Sequence, residues 1–397
     1  MRILKRLLLV LVLLAAAAVA ALFVGDPVVA SRMLTMPFGG SFGPVEAVKG
    51  GTPPALPRAA PGRESVAADA LREAIAYGAE TGSHALLVWQ DGALQLEHYY
   101  PGSGPGTRTP TQSMHKSVLA LLFGAAIRDG YVGSVDDPVG RYLPEWAGDE
   151  RGAITIRQLL QQDSGIGYPK TDYLNPAGDY LQVMMGGELE RALLAQQPER
   201  PPGTQFDYNN VNAGLLGVIL QRAVGRPYAQ YLSEALWQKI GAADAEVAVD
   251  SEAHRTPRTF CCLDATARSW LLLGLLHLRG GDWNGVPVIP REWMDDVTTP
   301  SARNENYGYL TWLGNRHEIQ RRYNQKSEVT AFQSEPFAAP DLRYFDGFGG
   351  QRVYIVPSLG LVIVRTGSLA MDWDDARLPN AIIRGIGPAL SEPGRAP

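Results

Sequence analysis

Two alternating apolar stretches near the carboxyl end, residues 351–356 and 361–365, flank Pro357-Ser358-Leu359-Gly360 and read as a β-hairpin. A second pair, residues 84–89 and 93–99, is joined around Asp91-Gly92 and reads the same way. Between the hairpins, residues 131 to about 250 carry mostly helical patterns broken by Pro and Gly. Strands at both ends with helices between them leave few architectures open. The expectation is an α/β (α+β) fold: an antiparallel sheet formed by both ends of the chain, flanked by helices, with a mostly helical subdomain inserted over about 131–250. A helix predicted over 65–81 opens this unit, which extends over 66–390.

Ahead of it, residues 31–65 are rich in Gly, Pro and Ala and lack sustained periodicity, so they read as a linker or an irregular arm. They contain Gly39-Gly40-Ser41-Phe42-Gly43, a Gly-x-Ser-x-Gly match without the preceding strand that such a nucleophile turn needs. Residues 1–30 read as a signal peptide or an amino-terminal membrane anchor. Arg2, Lys5 and Arg6 precede an unbroken apolar run over 7–24, longer than a typical signal core and barely long enough to span. Ala18-Val19-Ala20 and Val28-Val29-Ala30 offer small residues for cleavage; the other fate is inner-membrane association through 7–24. Either fate implies export, with the protein periplasmic or anchored.

The net charge of −5 gives no basic surface for nucleic acid. Cys261 and Cys262 are adjacent and cannot make an ordinary long-range bridge with each other, and the six histidines lack metal-ligand spacing. No metal, cofactor or disulfide scaffold is expected, and the sequence sets no oligomeric state.

The chemistry concentrates in Gln112-Ser113-Met114-His115-Lys116, at the head of an apolar helix. Ser113 and Lys116, three apart, share one helix face. Only six lysines occur in the chain, and no other has a serine at that offset. Burial lowers a lysine's pKa, so Lys116 can act as a base near neutrality, which an arginine cannot. Ser113 is thus a candidate nucleophile. A second element, residues 202–210, ends in Tyr208-Asn209-Asn210; an extended backbone there points Tyr208 and Asn210 the same way. A third, Asp346-Gly347-Phe348-Gly349-Gly350-Gln351, lies at a strand start, where glycines permit close backbone approach to a ligand.

These three elements in this order resemble the serine β-lactamase and penicillin-binding-protein superfamily, specifically the class C β-lactamase-related hydrolases. Ser113 and Lys116 match Ser-x-x-Lys, and Tyr208 and Asn210 match Tyr-x-Asn. The third motif departs from Lys-Thr-Gly: Phe345-Asp346-Gly347 followed by Phe348-Gly349-Gly350-Gln351 is similar to the 6-aminohexanoate-dimer hydrolase and esterase branch. The resemblance implies a β-lactamase/transpeptidase-like fold and an acyl-enzyme on Ser113, with Lys116 and Tyr208 sharing the proton. It implies an oxyanion site of the Ser113 and Phe348 backbone N–H groups. Asn210, Gly347, Gly349 and Gly350 would contact substrate, as would Tyr168 or Tyr173 on a loop over the pocket. The missing lysine points away from β-lactams and toward small esters or linear amides. A D-Ala-D-Ala peptidase or β-lactamase, and a catalytically silent envelope-binding module, are the competing readings.

Overall fold

The computed structural model describes residues 6–12, 20, 23–36, 41–327 and 329–387. The first hairpin joins strands Ser83–Gln90 and Ala93–Tyr99. Asp91 and Gly92 take φ of +46° and +84°, the two left-handed residues of a tight hairpin turn. The second hairpin joins Gln351–Val356 and Leu361–Gly367, and its outer strand pairs with Ser83–Gln90, so that Val88 faces Ile363. Strands Arg343–Gly347 and Trp312–Leu313 extend this sheet, giving six strands, each antiparallel to its neighbour. The expected sheet formed by both ends of the domain is present.

Alternation along the strands feeds two apolar layers. Leu87, Trp89, Val353 and Val364 face a core that holds the helices His115–Arg128 and Ala267–Leu278. Leu86, Val88, Tyr354 and Ile363 face the other way, onto Leu71 and Ala74 of helix Ala68–Glu80 and Leu378 and Ile382 of helix Arg377–Gly385. Each aliphatic side chain fully buried this way contributes about 1.5–3 kcal/mol. The helical segment joins the first core: Leu216 and Leu220 of helix Asn210–Val224 and Trp237 pack in the same cluster as Leu119 and Leu122. Residues 131–250 therefore share a core with the sheet.

A smaller antiparallel sheet, ordered Val45–Val48, Ala245–Ala248, Leu263–Thr266, Arg108–Pro110, sits beside this core. It delivers two parts of the site, because Arg108–Pro110 leads directly into Ser113 and Phe260 lies just before Leu263–Thr266.

Of the segment 31–65, residues 31–36 and 41–65 are described, and parts of them pack on the domain. Helix Pro27–Thr35 is capped by Asp26, and Val45–Val48 pairs with Ala245–Ala248. A four-residue strand and a nine-residue helix leave too little periodicity to detect in the sequence. Val29 and Ala30, offered above as a cleavage site, are fully buried. Ser41 of the Gly-x-Ser-x-Gly match is exposed. Of the apolar run 7–24, residues 13–19 and 21–22 lie outside the described residues; among those described, no helix is long and apolar enough to cross a membrane.

Candidate active site

Ser113 sits in a tight turn, Gln112–Met114, that runs into helix His115–Arg128. Gln112 just before it has φ of +53°, an uncommon conformation for a side-chain-bearing residue and one concentrated at functional sites. The helix is buried without a break from His115 to Ala126, so it lies inside the core rather than on it. This explains why Lys116, one residue into the helix, is only 1% exposed.

The Lys116 ammonium meets three neutral acceptors. It donates to Ser113 Oγ at 2.9 Å, to Asn210 Oδ1 at 2.8 Å and to the Phe260 carbonyl at 2.7 Å. Burial brings its pKa down to about 7, against a smaller upward pull from the Asp346 carboxylate. Neutral partners complete its hydrogen bonds without restoring the lost charge stabilisation. His115, on the same turn, is fully buried between the Cys261 carbonyl at 2.5 Å and the Tyr228 hydroxyl at 2.9 Å, and burial holds it neutral with a pKa of about 4.

Tyr208 and Asn210 converge as extended backbone requires: Asn209 between them has φ −133° and ψ 125° and caps helix Asn210–Val224. The Tyr208 backbone is pinned on both sides, its N–H donating to the Tyr323 carbonyl at 3.1 Å and its carbonyl accepting from Asn324 Nδ2 at 3.1 Å. Its ring lies 4.8 Å from Lys116 Nζ, centroid to nitrogen, and packs against Tyr307, Trp312 and Tyr323. Burial and the Asp346 carboxylate raise its phenol well above the usual 10, while a hydrogen bond with the Ser113 side chain pulls the other way. Burial thus moves the two groups in opposite senses, toward a neutral amine and a neutral phenol.

Beyond Ser113, Gly347 ends strand Arg343–Gly347. A Cβ there would lie 2.3 Å from the Thr111 carbonyl and 3.2 Å from Met114 Cγ. Only glycine lets this strand approach the nucleophile turn so closely, and the approach brings Phe348 to the cavity wall. Gly349 and Gly350, expected to contact substrate, turn elsewhere. With φ of +72° and +79° they reverse the chain, and they pack on Leu369 and Trp373. Gly347 likewise packs on backbone and does not line the cavity.

Ser113, Tyr208, Asn210 and Phe348 line one cavity of about 230 Å³ together with Tyr168 and Tyr173. Tyr168 is largely buried, with its phenol raised to about 12 by burial. Tyr173 is 60% exposed and stacks edge-on against Tyr180, their hydroxyls 3.4 Å apart. The sequence reading missed Tyr180, Met184, Tyr323 and Asp346 as wall residues. The spacing of Tyr180 and Met184, one turn apart on helix Asp179–Met185, is the signal that could have found two of them. Cys261 also lines the cavity, and it is joined to Cys262 in a vicinal disulfide; adjacency had excluded only a long-range bridge.

Asp346 is the middle residue of Phe345-Asp346-Gly347, the run that stands where the resemblance expects Lys-Thr-Gly. It accepts from Arg321 at 2.7 Å and from the Tyr323 hydroxyl at 2.9 Å, and pairs with Arg352 at 2.7 Å. Asp375 closes the group against Arg352 at 2.6 Å and Arg321 at 3.4 Å. Burial raises the Asp346 pKa, but the two guanidiniums outweigh it and hold the carboxyl below its ordinary range. The charged side chains of this buried quartet are spent on one another. Among the described residues lining the cavity, Asp346 is the single charged one.

An antiparallel sheet closed by both ends of the domain, with a serine and a buried lysine on the helix beside it, defines the β-lactamase/transpeptidase-like class. The Beta-lactamase family model matches residues 71–366, and the chain belongs to that family. It is similar to the 6-aminohexanoate-dimer hydrolase of Paenarthrobacter ureafaciens, at 27% identity over 312 residues, covering 75% of this chain and 74% of that protein. Among solved structures, one from Bacillus anthracis described as a candidate 6-aminohexanoate-dimer hydrolase superposes with a TM-score of 0.69 at 20% identity, covering 87% of this chain and 89% of that one. A family VIII carboxylesterase superposes with a TM-score of 0.58 at 18% identity, covering 80% and 97%. These likenesses show the fold. The chain is a hydrolase of the serine β-lactamase superfamily.

Proposed function

We propose that this protein cleaves small, neutral esters or linear amides through an acyl-enzyme on Ser113. The observation that carries the reading is the 2.9 Å contact between Lys116 Nζ and Ser113 Oγ in a site whose burial brings the lysine pKa down to about 7. Neutral Lys116 takes the hydroxyl proton as Ser113 attacks the carbonyl carbon. Tyr208, kept as a phenol, passes its proton to the leaving alcohol or amine; the phenolate then takes a proton from the water that attacks the acyl-enzyme, and Lys116 returns its proton to Ser113 Oγ as the acid leaves. The Ser113 and Phe348 N–H groups hold the oxyanion. Asn210 fixes the lysine.

The absence of a lysine or arginine from the described cavity lining supports a neutral substrate. A β-lactam or peptide carboxylate would bring a buried negative charge with no partner of opposite sign. A small ester suits the carboxylesterase of like fold; the relative named for the 6-aminohexanoate dimer supports the linear amide bond and not the neutrality, since that dimer ends in a carboxylate and an ammonium. Export, with the protein periplasmic or held to the inner membrane through residues 7–24, belongs to the same proposal and rests on the basic start and apolar run. A panel of p-nitrophenyl esters, short linear amides and nitrocefin tests it. Turnover of esters or amides with little of nitrocefin is expected, and nitrocefin as the preferred substrate would overturn the neutral-substrate reading.

The lysine also sets a pH dependence. Only the unprotonated amine can accept the Ser113 proton, so kcat/KM should rise with pH through about 7 and level off above it. A limb near the ordinary lysine value of about 10.4 would contradict Lys116 as the base.

A further inference from the structure

The proposed chemistry leaves the amino-terminal arm unused, yet the arm reaches the cavity wall. Helix Asp179–Met185, which supplies Tyr180 and Met184 to that wall, is seven residues long and has no side-chain cap at its start. A helix this short does not hold itself. Its carboxyl-terminal carbonyls are instead taken by two arginines from distant parts of the chain. Arg258, fully buried, donates to the carbonyls of Val183 at 3.0 Å, Met184 at 2.9 Å and Gly186 at 2.6 Å. Arg32, from helix Pro27–Thr35 of the arm, donates to the carbonyls of Met185 and Gly186. Two cations at a helix carboxyl end satisfy its orphan acceptors and oppose its dipole.

The arm grips the helix a second time. Asp26 accepts from the backbone N–H groups of Val28 and Val29 with Oδ1, and from Gln182 Nε2 with Oδ2 at 2.8 Å. From the gripped helix, a hydrogen-bond path leads to the proposed base. Met184 Sδ accepts from Asn210 Nδ2 at 3.4 Å, and Asn210 Oδ1 accepts from Lys116.

We propose that Arg32 is a positioning residue: through it the amino-terminal arm holds the Tyr180–Met184 wall in place and so sets which acyl groups the cavity accepts. This rests on the reading of the Ser113 cavity as the active site. Without the Arg32 guanidinium, the carboxyl end of the wall helix keeps only Arg258, and the wall can retreat. Short acyl groups then lose their fit and longer ones gain room.

The test measures kcat and KM of the full chain and its R32A, R32K, Q182A and R255A variants on p-nitrophenyl acetate, butyrate and octanoate, with melting temperatures alongside. Arg255 pairs with Glu46 of the arm strand at 2.8 Å and is the control, a tie to the arm away from the wall helix. R32A should raise KM for acetate relative to octanoate by about fivefold or more, with kcat on butyrate changed far less. R32K should recover part of the ratio, since an ammonium can hold one of the two carbonyls. Q182A, which removes the second grip, should shift the ratio the same way, and R255A should leave it alone. An R32A or Q182A enzyme whose ratio stays within about twofold of wild type, whatever its melting temperature, overturns the proposal. Should R32A not fold, Q182A decides. Wild-type protein that hydrolyses no ester or amide would instead sink the hydrolase reading on which the proposal stands.

Discussion

Ser113→Ala should lower kcat/KM by about 10⁴ or more, because the variant keeps the cavity and loses the atom that becomes acylated. The fold should tolerate the change. Lys116 retains its bonds to Asn210 and Phe260 when the Ser113 hydroxyl is gone, so no buried amine is left without an acceptor. A fluorophosphonate probe should label wild-type protein on Ser113, as located by mass spectrometry, and leave the variant unlabelled. Residual labelling of the variant at wild-type stoichiometry, or full activity with no adduct on Ser113, would remove the serine from the mechanism. A silent binding module predicts a different pair of results: no acyl substrate turned over by wild type, and ligand binding indifferent to the substitution.

The largest loss of stability should come from Asp346→Asn. In wild type two carboxylates and two guanidiniums balance inside the protein, with Tyr323 donating to Asp346 as well. Asparagine removes one negative charge and leaves a buried excess positive charge. Deleting one partner of such a group costs roughly 3–5 kcal/mol, measurable by urea denaturation. The same change alters catalysis in a defined direction. Asp346 raises the pKa of Lys116, so its loss favours the neutral amine and should move the acid limb of kcat/KM below that of wild type. A destabilised variant with an unmoved limb would show that the quartet is only structural.

The meeting of Ser113 with Lys116 and of Tyr208 with Asn210 was legible because it is local. Ser113 with Lys116, and Tyr208 with Asn210, are set by spacings of three and two that convert directly into shared faces of a helix and an extended segment. The two hairpins were legible for a similar reason, since alternation and turn residues are read over a dozen positions. What the sequence hid is non-local. Asp346 lies inside the third motif, but the sequence marks that run only as a departure from Lys-Thr-Gly. Its meaning depends on Arg321, Arg352 and Asp375, which only the folded sheet brings together. Gly349 and Gly350 looked like contacts to a ligand, and they serve the turn instead. How the arm is held escaped notice because its purchase on the domain comes from single side chains such as Arg32 and Asp26 meeting backbone carbonyls and an amide far along the chain.

The pairing of Val88 with Ile363 has a consequence during synthesis. A ribosome makes Ser113 and Lys116 early, yet the glycine turn at 347–350 and the central strand Leu361–Gly367 emerge among the last parts of the domain. Pairings between such distant segments form late and slowly. A chain cut before residue 347 therefore carries Ser113 and Lys116 without the glycine turn or a closed sheet, and on the proposed mechanism it should be inert in an ester assay until the domain is complete.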